Sequence, residues 1–427
     1  MNDIKIKQTV KVMLRLVIIV VVSFELFCFY NITVEAKNEK NKNDIKILKQ
    51  IIKEQRKKGA VVSKDLNNTH QYKWSTKNGR LIKLKWNFCG LKGKIDVTEL
   101  KGLKHLNVSD NELKYLYVSD LQKMRTLNCS SNSIVKLEAS NLRKLRRLDC
   151  SDNYIVKLDI AKSKLLAYLD YNTTHVKSLK LSGLKKLKYL NCGYTGIKSL
   201  NISHLDNLKG LDCSGNKIKS LNLSEYKKLD QLDCSNNRIQ KLDLSKARKL
   251  KKVECYDNEI KELNVSKSEK LEILNCAGNK IKKLILCRSS SLKTLDCSKN
   301  KLSELNVSKQ KKLINLYCFK NKIKKLDVSN LKNLDELRCS YNEMKKLNIL
   351  KLKKLTWVEC SHNKLEILKF GNAKDLETLD CSYNQIIDLD VSKLNLIEFQ
   401  CQHNKLKKLD VSNMSLLEYA FNCSYNQ

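Results

Sequence analysis

The sequence predicts a repeat solenoid built mostly of β-strands, one short strand per turn. Three observations carry this. Cysteines recur at a constant spacing: Cys129, Cys150, Cys192, Cys213, Cys234, Cys255, Cys276, Cys297, Cys318, Cys339, Cys360 and Cys381 lie 21 residues apart, or 42 where Tyr171 fills the column. Each is preceded by Leu or Val two residues earlier, the alternation of a strand with one buried face. An asparagine follows three residues after the column position in 14 of 16 units, from Asn111 to Asn426, with Thr174 and Thr195 as the exceptions. A period of this length is the mark of stacked supersecondary units.

Composition narrows the class before any motif is read. The 427 residues include no Pro, where about 20 would be ordinary, so collagen-like and proline-rich readings fail. The hydrophobic share of 42% is too high for a disordered chain and too low for a multi-span membrane protein. There are 83 Lys+Arg against 45 Asp+Glu, a formal net charge of +38, and only 11 of the basic residues are Arg. Such a surplus reflects either lysine-rich codon usage on a solvated surface or attraction to a polyanion.

The first 36 residues read as an export leader. Lys5, Lys7, Lys11 and Arg15 precede an apolar run from Leu16 to Phe24, and Val34-Glu35-Ala36 fits small-residue cleavage after Ala36. Glu25 interrupts the apolar stretch and argues against a span, leaving an uncleaved membrane anchor as the alternative. Residues 37–80 read as an N-terminal cap. Asp44 is the expected N-cap of a helix over 45–58, with Ile45, Leu48, Ile51 and Ile52 on one face and Gly59 as the stop. Asn78-Gly79 is the turn of a hairpin flanked by Tyr72–Thr76 and Arg80–Trp86.

Residues 81–427 are the solenoid. One unit, residues 229–249, reads LDQLDCSNNRIQKLDLSKARK, and the general form is LxxLxCxxNxIxxLDxSxxxx. Val108 holds the cysteine register one period early. Cys401 and Cys423 continue it, and Leu81, Leu84, Trp86, Cys89 and Leu91 form an imperfect first unit. The second half repeats the two-residue alternation, which predicts a strand-like edge on the convex side. LxxLxCxxNxL resembles the leucine-rich repeat. The 21-residue form with a cysteine in the third apolar position is similar to the bacterial IRREKO type and to internalin-like surface proteins. The resemblance implies a right-handed coil of about 16–17 turns with parallel strands and few helices.

The cysteine column reads as a buried thiol ladder. Its members alternate with Leu on the inward side, and Val108 substitutes for one. Neighbouring rungs stand about 4.8 Å apart, within disulfide distance, but parallel side chains would give a poor torsion. The asparagine column, exemplified by Asn216, Asn237, Asn258, Asn279, Asn300 and Asn321, is expected to satisfy backbone groups at the bend. The chain ends at Gln427 in mid-unit with no evident C-terminal cap. This predicts a truncated product or fragment, or an open end that self-associates with another copy.

No catalytic residues, cofactor site or metal site emerge. The six His lack any nucleophile or ligand spacing; His362 and His403 share a column but sit about 10 Å apart. The expected role is binding. The outward column just before Cys carries Asp149, Asp170, Asp212, Asp233, Glu254, Asp296, Glu359 and Asp380, whereas Lys pairs such as Lys324-Lys325 and Lys345-Lys346 crowd the flanks. Tyr168, Tyr189 and Tyr194 form an early aromatic group. Tyr317, Phe319, Tyr341, Trp357, His362 and Tyr383 form a later one, the predicted partner-binding site. The chain thus reads as a secreted or cell-surface leucine-rich-repeat module, not an enzyme, with a protein or glycan partner on its strand face. The alternatives are a structural protein held electrostatically on anionic cell-wall polymer, or an intracellular scaffold if the leader does not function. The lysine bias and the leader argue against nucleic acid as a partner.

Overall fold

The computed structural model describes residues 39–427 except 289, 290, 372, 413, 418 and 419. The expected leader, residues 1–36, lies outside the described residues. The chain forms a parallel β-solenoid of about 16 turns with a single α-helix among the described residues. One 18-stranded sheet runs its whole length. Its first strand, β1 (Tyr72–Trp74), pairs antiparallel with β2 (Leu81–Lys85), and every later pairing is parallel and in register.

Three-residue strands suffice because each turn repeats the same side-chain assignment. In Gln231-Leu232-Asp233, Leu232 points inward and the flanking residues point outward, and Cys234 follows inward at the strand's end. Leu, Ile, Val and Cys columns stack through the interior with almost no exposure, so every turn completes the core of its neighbours. The opposite side carries the second half of each unit. Strand pairing there is confined to short runs, the longest joining Lys92–Asp96, Glu112–Tyr117 and Lys136–Glu138. The rest of that side is stacked turns.

The helix, α1, spans Lys42–Lys57 and starts three residues earlier than the sequence suggests. Asn41, not Asp44, is its N-cap: the Asn41 side chain accepts from the Asp44 N–H at 3.1 Å. Asp44 is instead buried in the first turn. Its carboxylate accepts from the Leu81 N–H (2.8 Å) and from Arg80 Nε (3.0 Å), tying helix to hairpin. Lys58 ends the helix and Gly59 takes φ +91°, the left-handed stop expected there.

The helix and hairpin together seal the first coil. Leu48, Ile51 and Ile52 pack on the core, while Gln55 Nε2 donates to the Lys92 and Lys94 carbonyls and its Oε1 accepts from the Lys92 N–H. The open edge of the strand Lys92–Asp96 is thereby paired by a side chain, and β1 covers the edge of the main sheet. Gly79 is required at the hairpin turn. Its φ is +63°, and a Cβ there would stand 2.0 Å from the Glu39 carbonyl.

No disulfide joins the sixteen described cysteines, and all but Cys423 are buried. Burial disfavours the thiolate: Cys192 and Cys318 are each pushed up to about 12, and Cys234 and Cys276 lie well above the usual range. At pH 8 the column thiols from Cys129 to Cys401 therefore stay protonated and out of reach. For a chain beginning at Lys37, titration with a thiol reagent should find one fast group, Cys423, in the native state and sixteen after unfolding. A count near zero after unfolding without reductant would mean disulfides instead.

Candidate functional site

The local sequence D-C-S-N-N shows how the strand face is built. Asp233 Oδ1 accepts from the Ser235 N–H (3.0 Å) and from Ser235 Oγ (2.6 Å), turning the chain out of the strand. Asn236 sits in the left-handed region at φ 52°. Asn237 then points inward. Its Nδ2 donates to the carbonyls of Cys234 (3.1 Å), Ser235 (3.0 Å) and, in the preceding coil, Cys213 (2.9 Å). Its Oδ1 accepts from the Ile218 N–H at 2.9 Å.

Asn216, Asn258, Asn279, Asn300 and Asn321 repeat this bridge. Thr174 donates to the Tyr171 carbonyl of its own coil (2.7 Å), and Thr195 donates to the Cys192 carbonyl of its own coil (2.9 Å) and lies 3.2 Å from Asn216 Oδ1 of the next. A hydroxyl has one proton and cannot supply the three carbonyls that an amide does. Replacing Asn237 with Ala would strand buried carbonyls and the Ile218 N–H. The expected local cost is about 3 kcal/mol, read as a loss on the order of a hundredfold in Ile218 hydrogen-exchange protection. Unchanged protection would show that the bridge is dispensable.

The six residues of the later aromatic group fall into two arrangements and a remainder. Tyr317 and Trp357 project from the strand face around Arg338. The guanidinium lies 5.0 Å from the Trp357 ring and 5.8 Å from the Tyr317 ring, with Arg338 Nη1 3.4 Å from Glu359 Oε1. Trp357 Nε1 donates to the same Glu359 oxygen at 2.9 Å, and the Tyr317 hydroxyl donates to Glu336. Burial and that glutamate push the Tyr317 phenol up. Arg338 is thus held by two aromatics and two carboxylates of its own chain. Phe319 is half-buried beside Cys318 and has no ring partner among the described residues.

Tyr341, His362 and Tyr383 belong to a different surface, the turn that follows the strands. They occupy the left-handed position two residues past the column cysteine. There they stack in line with His403 and Tyr425, which the predicted site does not include. The successive ring centroids are 4.1, 4.3, 4.3 and 4.3 Å apart, with interplanar angles of 9°, 9°, 18° and 7°. Lys320, one rung earlier in the same column, places its Nζ 5.4 Å from the Tyr341 ring. The signal for the two missed residues is the column itself: His403 and Tyr425 stand two residues past Cys401 and Cys423. Inner ring faces are used up by stacking, so this row presents mainly phenol and imidazole edges.

The early group is separate. Tyr168 and Tyr189 lie on adjacent strands with centroids 6.5 Å apart, and Tyr194 lies in the turn column, exposed. Beside Tyr189 the strand face is hollowed into a recess of about 270 Å³ running to Glu254. Burial raises the carboxyls of Asp170 and Asp233 within it. On the opposite side, Lys324, Lys325, Lys345, Lys346 and Lys364 line a basin of about 850 Å³ together with Asp327 and Glu343. Among the described residues no group of His, Cys, Asp and Glu is placed to hold a metal ion.

These features can be set beside known proteins. A family model described as "Leucine Rich repeats (2 copies)" matches residues 206–247. No curated protein matched the chain in sequence. Among solved structures, the functional domain of InlJ from Listeria monocytogenes, described as including a cysteine ladder, is similar at 26% identity and TM-score 0.59. The match covers 74% of this chain and 70% of that one. An LRR protein of Leptospira interrogans, LIC12759, is similar in fold at 24% identity and TM-score 0.58, covering 74% of this chain and 83% of its own. The chain carries leucine-rich repeats and folds as a leucine-rich-repeat solenoid.

Proposed function

We propose that the chain is an exported, internalin-like binding module that recognises a protein partner through its strand face and the adjoining aromatic row. Leucine-rich-repeat folds commonly mediate protein binding. The observation that carries the reading is a division of labour. Every inward column is committed to core or bridge, whereas the outward columns hold, beside the aspartates that cap the turns, aromatics and charges that the turn geometry does not need. Stacking leaves few ring faces open in the row from Tyr341 to Tyr425, which favours a protein over a glycan that would lie flat on a ring. Export after Ala36 is part of the proposal and rests on the leader sequence alone.

The test begins with peptides selected from a displayed random library on the intact chain. Their affinity should fall about tenfold or more when Trp357 and Tyr341 are both replaced by Ala, with the melting temperature little changed. Affinity untouched by that pair would remove the site.

The lysine-lined basin favours a second reading, retention on anionic wall polymer. Sedimentation of the chain with bacterial cell walls across a salt series separates the two. Binding at low salt and release at high salt supports retention. No binding at low salt would leave the positive charge as a solvated surface.

A further inference from the structure

The strand face twice holds an arginine of its own between an aromatic ring and carboxylates. Arg147 places its Cζ 3.4 Å from the centroid of the Tyr168 ring, with Nη2 3.5 Å from Asp149 Oδ2. Arg338 lies between Tyr317 and Trp357 against Glu336 and Glu359. The recess beside Tyr189 has the same ingredients, a tyrosine ring with Asp212 and Asp233 on the next strands, and among the described residues no cation lies over Tyr189.

The recess exists because of Gly210. It holds the outward strand position that carries Gln231 and Lys252 on the following rungs. A Cβ there would meet Tyr189 Cδ1 at 2.8 Å, so the tyrosine ring leans into space that any other residue would fill.

The carboxylates exceed what the fold needs. Asp212 Oδ1 accepts from the Ser214 N–H and Oγ at 3.0 and 2.7 Å, and Asp233 Oδ1 does the same for Ser235. Asn191 and Asn275 cap the same turn with a neutral amide oxygen, accepting from the Gly193 and Ala277 N–H groups. One acceptor is enough for the turn, so the second oxygen of each aspartate is spare, and Lys252, which also lines the recess, meets part of the charge of Asp233. At the far wall Glu254 pairs with Lys252 at 3.2 Å through Oε1, while its Oε2 is buried without a hydrogen-bond partner. A buried carboxylate oxygen without a donor is costly and would be relieved by a donor entering the recess. At about 270 Å³ the space suits one long side chain better than a larger ligand.

We propose that this recess receives one arginine side chain of a partner polypeptide, its guanidinium stacked on Tyr189 and held by the outer oxygens of Asp212 and Asp233. The planar fork can stack on a ring and donate to two carboxylates at once, as Arg338 does. This assignment rests on the strand face being the binding surface, and it names the chemistry of the partner there.

Saturation-transfer NMR with the intact chain tests it, using the blocked peptide Gly-Ser-Arg-Ser-Gly and the same peptide with citrulline, the neutral isostere. The arginine peptide should bind saturably and the citrulline peptide about tenfold more weakly or worse. The double substitution D212N/D233N keeps the turn caps and should keep the melting temperature, yet cost about tenfold in affinity for the arginine peptide. Gly210→Val, which fills the recess, should do the same. Absence of saturable binding, equal binding of the two peptides, or full affinity in D212N/D233N would each overturn the proposal. If library-selected peptides still lose affinity on replacement of Trp357 and Tyr341 while D212N/D233N changes nothing, only the arginine recess fails and the strand face stands.

Discussion

The buried asparagine at each bend is the constraint on which the solenoid depends. A coil that leaves a strand and turns back must point carbonyl and amide groups into its own interior, where water does not reach. Each orphan would cost about 1–3 kcal/mol. One primary amide resolves three carbonyls and an N–H, spread over two successive coils, as Asn237 does for Cys234, Ser235, Cys213 and Ile218. The spacing of the repeat follows from this reach. The amide must bridge to the coil before it, so every turn needs the same length and the same residue in the same place.

The neighbouring residues follow from the amide's placement. An inward Asn three residues after an inward Cys demands a tight turn between them, hence the left-handed residue just before the Asn and the Asp or Asn cap just before the Cys. Where the amide is absent, the joint changes. Thr174 and Thr195 stand in consecutive coils, beside Tyr171, which replaces the cysteine between Cys150 and Cys192. Strand pairing on the opposite side also lapses between Lys136–Glu138 and Leu221–Asn222. The coils carrying Thr174 and Thr195 are thus joined to the coil before them by the main sheet and the apolar core, without an amide bridge or opposite-side strand pairing. The recess beside Tyr189 lies over this stretch.

What the sequence could and could not announce divides along the same line. Period, strand placement, inward columns and the asparagine bridge are single-residue properties repeated many times, so alternation and spacing reveal them. The helix start was not legible in that way. Asn41 and Asp44 are both competent caps, and the choice depends on Arg80 and Leu81, which approach Asp44 only in the folded chain. The aromatic group illustrates the same limit. Tyr317 is the register partner of Arg338 on the neighbouring strand and Trp357 that of Glu336, so both rings meet the same arginine, and Tyr341, His362 and Tyr383 leave the strand face altogether for the turn. A list of exposed aromatics cannot separate the two. Reading down the column would have gathered His403 and Tyr425 with them.

The stacked row also poses an energetic question that magnitudes can decide. A left-handed backbone costs a residue with a side chain about 1–2 kcal/mol, least for Asn and Asp and nothing for Gly. The same column elsewhere holds Asp110, Asp152, Gly215, Asn236, Asp257 and Gly278, the inexpensive choices, but also Ser131, Thr173, Tyr194, Lys299 and Lys320, which bear the same strain. Tyr341, His362, Tyr383, His403 and Tyr425 take the strained position without that help. Four ring contacts at about 0.5–1.5 kcal/mol each return about 2–6 kcal/mol, only part of the roughly 5–10 kcal/mol that five strained residues cost. The stacking does not make the row a source of stability, and glycine or asparagine would serve the turn at least as well. The turn accepts Asp, Asn, Gly, Ser, Thr and Lys in this column, so backbone geometry does not dictate aromatic and imidazole side chains in five successive turns, and their stacking gives the solenoid a continuous edge of phenol and imidazole groups beside the strand face.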